Sequence, residues 1–156
     1  MPRITPFLWF DTEAEEAANF YVSVFPNSKI TQVVSNNAAS PGGTSQVMTV
    51  AFELDGLPVT ALNGGPHFKF NEASSLVVHC KSQEEVDYYW DKLLDGGSPS
   101  QCGWLKDRFG FSWQIVPDVL LELIAGSDSE KAARVTAEML TMGKLDIARL
   151  VAAANG

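Results

Sequence analysis

Cysteine is scarce: Cys80 and Cys102 are the only two, and no C-x-x-C spacing relates them. This excludes a disulfide framework or a zinc knuckle as the basis of the fold, and reduced thiols are expected. Basic residues are also few. Eleven lysines and arginines stand against nineteen acids, for a net charge of −8. No basic cluster is dense enough to follow a phosphate backbone, so no nucleic-acid partner is expected. No apolar run approaches the roughly 20 residues that cross a bilayer. The opening Met1-Pro-Arg-Ile-Thr-Pro6 lacks the apolar centre of a secretory signal. No membrane partner is expected, and a cytoplasmic location follows.

What is present is a regular alternation of short apolar runs and amphipathic stretches. The 156 residues suffice for one full core, or for two small modules sharing one. Residues 4–10 read as a strand. Asp11-Thr12 then offers a helix cap, with Glu15 and Glu16 in the first turn. Ala17, Phe20, Tyr21, Val24 and Phe25 form one stripe of the helix, which Pro26-Asn27 stops. Lys29 to Val34 is a strand, and Asn36 to Ser45, with Pro41-Gly42-Gly43, is a polar loop expected to move. Val47–Leu54 and Leu57–Leu62 form a hairpin turning at Asp55-Gly56.

The pattern then repeats at an offset of 69 residues. Glu84, Glu85, Val86, Tyr89, Trp90, Leu93 and Leu94 stand where the first helix has two acids and five apolar residues. A strand, Leu76 to Cys80, precedes this helix. Gly96-Gly97 ends it, and a short strand containing Cys102 follows. Trp104-Leu-Lys-Asp-Arg-Phe-Gly-Phe-Ser-Trp-Gln-Ile-Val-Pro117 is a second hairpin turning at Gly110. Phe111, Trp113 and Ile115 fall on one side of its second strand, and Ser112, Gln114 and Val116 on the other. The order β-α-β-β-β is thus written twice. We expect an α+β fold: tandem βαβββ modules, 2–66 and 74–117, in a curved, mixed but mainly antiparallel sheet, within a single domain 1–156. A helical tail, 118–156, has helices over Val119–Ala125, Asp128–Met142 and Asp146–Ala154, the first capped by Asp118. The tail is expected to pack across the sheet or onto a second subunit.

The repeat resembles the vicinal-oxygen-chelate superfamily, which includes glyoxalase I, extradiol dioxygenases and bleomycin-resistance proteins. Pro6-Phe-Leu-Trp-Phe-Asp, Phe20-Tyr21, Ala61-Leu-Asn-Gly-Gly-Pro66, the Cys102–Pro117 stretch and Met142-Gly-Lys-Leu-Asp-Ile resemble the PhnB-like branch, catalogued as 3-demethylubiquinone-9 3-methyltransferase-like. The resemblance implies a concave sheet face that binds a small molecule, often completed by a second subunit, so a homodimer is expected. It also implies where metal-using members place their four ligands. Counting four residues past each hairpin glycine gives Thr60 and Gln114, and counting back from the helical aromatic pair gives Pro6 and Ser75. None is a histidine or a carboxylate. Divalent metals of the Zn, Ni, Fe or Mn type need nitrogen, thiolate or anionic oxygen donors, so neither a metal nor any other cofactor is expected. The sequence also lacks the G-x-G-x-x-G turn that holds a methyl donor in doubly wound domains.

The expected ligand-binding residues are therefore Thr60, Asn63, Ser75, His79, Trp104 and Gln114. His79, Gln114 and Cys102 are the candidates if there is catalysis. Each has a plainer reading. His79 is either a proton-exchanging group or a histidine satisfied within the fold. Asn63-Gly-Gly-Pro-His67 either admits a ligand to the backbone or links the modules. Cys102 is a reactive thiol only if Lys106 or Arg108 lowers its pKa. Phe10, Trp104, Phe109 and Phe111 either stack a planar ligand or fill the core. Two functions compete: metal-free sequestration of a small organic molecule, and an enzyme of lyase, isomerase or methyltransferase-like type. A third reading is an interaction module whose concave face is filled by its own aromatics.

Overall fold

The computed structural model describes residues 4–40 and 46–156, and the chain divides into two compact units, Met1–Phe70 and Asn71–Gly156. The second half of the polar loop expected to move, 41–45, lies outside the described residues.

In the first unit, β1 (Phe7–Phe10), α1 (Ala14–Val24), β2 (Lys29–Ser35), β3 (Val47–Leu54) and β4 (Leu57–Asn63) follow in order. The strands form one four-stranded sheet, β1-β4-β3-β2. Only the β1–β4 pair is parallel. Strand alternation sends Leu8, Phe10, Val50, Phe52, Val59 and Ala61 into the core, where α1 contributes Ala17, Tyr21 and Val24. Burying a side chain as large as Tyr21 or Phe52 stabilises by about 2 kcal/mol. Asp55 and Gly56 have φ of 48° and 82°, the left-handed pair that a two-residue hairpin turn requires. The start of α1 departs from expectation. Glu13 holds the N-cap position without a side-chain cap bond, and the Ala14 N–H is instead taken at 2.8 Å by Oδ1 of Asn63, at the end of β4.

The second unit repeats the plan with β5 (Ser75–Cys80), α2 (Gln83–Leu94), β6 (Ser98–Pro99), β7 (Trp104–Lys106) and β8 (Ser112–Pro117). Its sheet has the same order, β5-β8-β7-β6, again with one parallel pair, β5–β8. Val86, Trp90 and Leu93 of α2 are buried, as are Cys80, Leu105, Trp113 and Ile115 of the strands. Ser82 caps α2 by accepting the Glu85 N–H, and the Glu85 carboxylate accepts the Lys81 N–H, two otherwise orphaned donors met at one helix end. Cys102 is not in a strand as expected. It sits in the β6–β7 turn with φ of +61°, and its N–H and that of Gly103 donate to the Met142 and Gly143 carbonyls.

Those two bonds tie down the helical tail, α3 (Asp118–Ala125), α4 (Ser129–Met139) and α5 (Ile147–Asn155). The tail packs inside the second unit, around a cluster of Val116, Leu120, Val135, Met142, Leu145, Leu150 and Ala154. Gln83 of α2 holds it from the other side, donating to the Leu145 carbonyl and accepting the Ile147 N–H. Asp128 and Asp146 cap α4 and α5 as their positions suggest. Asp118 does not cap α3: Pro117 holds the cap position, and Asp118 is already inside the first turn. The α4 helix stops at Met139, three residues before the predicted Met142, because the next turn directs Met142 into the cluster.

Candidate functional site

The second hairpin is organised by an aspartate to which the sequence pattern gave no separate role. Asp107 is 2% exposed. Its Oδ1 accepts the N–H groups of Phe109 and Phe111 at 2.9 and 3.1 Å, and its Oδ2 accepts Trp113 Nε1–H at 2.8 Å. The Gly110 N–H closes the turn on the Asp107 carbonyl at 2.9 Å, and Gly110 supplies a φ of +84°. The signal was present as Asp-x-x-Gly, a type I turn pattern in which the side chain bonds the backbone ahead of it.

With the hairpin fixed, cross-strand partners share a face of the sheet. Ser75 pairs with Ser112, Val77 with Gln114 and His79 with Val116, while Trp104 pairs with Gln114 and Lys106 with Ser112. This face lies opposite Leu105, Trp113, Ile115 and Cys80. Gln114 Nε2 donates to Ser75 Oγ at 2.9 Å. Among the described residues nothing donates to Gln114 Oε1, and neither the Trp104 indole N–H nor the exposed His79 ring has a hydrogen-bond partner. The face therefore offers an amide oxygen, an indole N–H and an imidazole, together with the apolar surfaces of Trp104 and Val77.

Thr60 and Asn63 belong to the first unit. Thr60 is half-buried between Phe7 and Ala51, and its N–H donates to the Pro6 carbonyl at 3.2 Å. Asn63 is bonded at both ends of its amide, accepting from Ala14 and donating to the Val47 carbonyl at 2.9 Å. The glycine after it does allow a close approach, by the protein's own indole. A Cβ on Gly64 would lie 2.3 Å from the Trp9 ring, and Trp9 Nε1–H donates to the Gly65 carbonyl at 2.9 Å. Of the aromatics weighed for stacking, Phe10 and Phe111 are core residues. Phe10 meets Phe70 edge to face, and Phe111 meets Trp113 in the same way. Phe109 and Trp104 are half-buried.

The two thiols differ. Cys80 is fully buried, and burial, aided by the charges of Glu85 and Asp118, pushes its pKa up to about 12. It is a core residue rather than a nucleophile. Cys102 is half-buried in its turn and free. A metal fits poorly. Among the described residues no group of three histidine, cysteine, aspartate or glutamate side chains could share an ion. The positions at which the superfamily resemblance implies ligands hold Pro6, Thr60, Ser75 and Gln114, and the last two hydrogen-bond each other.

Residues 2–116 match the family described as 3-demethylubiquinone-9 3-methyltransferase, so the matched stretch stops short of the helical tail. The chain is 34% identical to the PhnB protein of Bacillus cereus, covering 74% of this chain and 99% of that one with a TM-score of 0.69. A Pseudomonas aeruginosa protein is 17% identical over 75% of this chain and 98% of its own, with a TM-score of 0.64. The fosfomycin resistance protein FosX of Listeria monocytogenes is 14% identical over 78% and 94%, with a TM-score of 0.58. The last two show the shared fold alone. No curated protein matches the sequence.

Proposed function

The chain belongs to the 3-demethylubiquinone-9 3-methyltransferase family, and from that premise, with its resemblance to the glyoxalase–bleomycin resistance–dioxygenase superfamily, we propose that it binds a small organic molecule without using a metal. The binding surface is the face of the second sheet that carries Ser75, His79, Trp104 and Gln114. The observation that carries the reading is the Gln114–Ser75 hydrogen bond. Two positions where the superfamily resemblance implies metal ligands hold neutral groups, and Gln114 keeps its amide oxygen for a ligand. Sequestering a small molecule needs no acid, base or metal. The family's description names methyl transfer, but each sheet here has one parallel pair and is not doubly wound, so the description serves as a family name. A cytoplasmic homodimer belongs to the same proposal, its self-association supported by the exposure of Ile4, Phe7 and Phe68 in the first unit.

A second reading, an enzyme of lyase, isomerase or transferase type, is favoured by the unpartnered, exposed His79 on the same face as Gln114. Its ring can exchange a proton with a bound substrate. A thermal-shift screen with quinones and glycopeptide drugs separates the two. A ligand at about 100 times its Kd adds about 2.7 kcal/mol to stability, a Tm rise of roughly 5–10 °C for a chain of this size. The expected result is such a rise, lost in Gln114→Ala, with no conversion of the compound. Conversion abolished in His79→Ala would favour the enzyme, and silence from every compound would sink both.

A further inference from the structure

Among the described residues, the buried side-chain oxygen left without a hydrogen-bond partner is Ser112 Oγ, in a residue only 1% exposed. A buried hydroxyl without a partner gives up its hydration and gains nothing in return, so a fold that retains one has a use for it or fills it. Ser112 begins β8, and its pairing with Lys106 and Ser75 places these side chains on one face. There it lines a cavity of about 180 Å³ with Glu72, Ser98, Ser100, Trp104 and Lys106. Drug-sized ligands occupy roughly 300 Å³ or more, so this cavity suits a fragment, the volume of about six waters.

Charge narrows the class. Lys106 Nζ lies 2.5 Å from a Glu72 carboxylate oxygen. Glu72 is exposed, on the segment before β5, and its carboxyl is held below the usual range first by the hydrogen bond from Lys106. The lysine at this cavity thus already holds a carboxylate, one borne on an exposed side chain. An exposed pair of this kind is weak because solvent screens it, so a better-placed anion can displace it.

We propose that this cavity takes a compact carboxylate, whose charge replaces Glu72 on Lys106 and whose body lies along Trp104 with a polar group reaching Ser112 Oγ. It rests on the reading of this face as a binding surface, and names a ligand class for one end of it. Ser98 and Ser100 add hydroxyls at the edge, and Glu72 acts as a built-in competitor.

The test is an NMR titration of the full chain with acetate and lactate, with acetamide and isopropanol as neutral controls. The carboxylates should give saturable shifts at Ser112, Lys106 and the Trp104 indole N–H that the neutral compounds do not. Lys106→Met should weaken binding about tenfold or more, the value of a charge-assisted hydrogen bond. Glu72→Gln, at an exposed position, should tighten it by removing the competitor. Unmoved Ser112, equal shifts from acetamide, or weaker binding in Glu72→Gln would each overturn the proposal. A larger organic compound that shifts Ser75 and Gln114 while carboxylates leave Ser112 unmoved would overturn this pocket alone. Carboxylate binding with no larger ligand on the face would overturn only the broader reading.

Discussion

Replacing Asp107 with alanine should lower the unfolding free energy by about 3–5 kcal/mol, because it strips partners from three donors at once. The N–H groups of Phe109 and Phe111 and the indole N–H of Trp113 all end on this carboxylate. Phe111 and Trp113 are 4% and 2% exposed, so water does not readily replace what is lost. Each buried donor left unpaired costs about 1–3 kcal/mol. Asp107→Asn should recover only part of the loss. Its Oδ1 can still serve the turn, but an amide NH2 would face the Trp113 N–H, donor against donor. Urea unfolding followed by tryptophan fluorescence measures both variants. A loss below about 1 kcal/mol for the alanine variant, the scale of an ordinary surface substitution, would contradict this account of the hairpin.

The second large effect is expected at Gly97, between α2 and β6. A Cβ there would lie 2.0 Å from the Lys106 carbonyl oxygen and 2.8 and 2.9 Å from the carbonyl carbon and Cα of Asp107. All three atoms are backbone, and no side-chain rotation relieves them. Gly97→Ala must push β6 away from β7 and disturb the residue that organises the turn. We expect a cost of about 3 kcal/mol, the upper end for overpacking, with loss of amide protection across the Ser98–Lys106 pair. Gly126→Ala is the control. Gly126 has φ of −70° and nothing within 4 Å of its added Cβ, so it should change stability by no more than about 0.5 kcal/mol. Equal stability of the two variants in urea would refute the close-packing argument at Gly97.

The features legible in the sequence are those in which neighbours along the chain decide. Asp55-Gly56 gives its turn directly, since two left-handed residues between alternating strands have few other uses. The repeat at an offset of 69 gave both modules, because the same stripe of acids and apolar residues must build the same helix on the same kind of sheet. The face carrying Ser112, Gln114 and Val116 follows from strand alternation, and the register brings Ser75, Val77 and His79 beside it.

The unread features depend on distant partners. Asn63 caps a helix 49 residues earlier, and no local pattern announces that. Gly64 is small for the sake of Trp9, which arrives from another strand. Cys102 reads as part of a strand, but its N–H and that of Gly103 are drawn to carbonyls of the tail, which leaves Cys102 in a left-handed turn. Asp107 goes unread for a different reason. Aspartate is rarely buried, and composition alone sends it to solvent unless the donors ahead of it are counted.

Gln114 and Ser75 hold neutral, mutually bonded side chains where the superfamily resemblance implies a chelate. The direct measurement is equilibrium dialysis of the purified chain against manganese, nickel, zinc and ferrous ions, followed by elemental analysis. We expect that no ion is retained in proportion to the protein, and that Gln114→Ala leaves the result unchanged. One tightly held ion per chain, lost in Gln114→Ala, would contradict it.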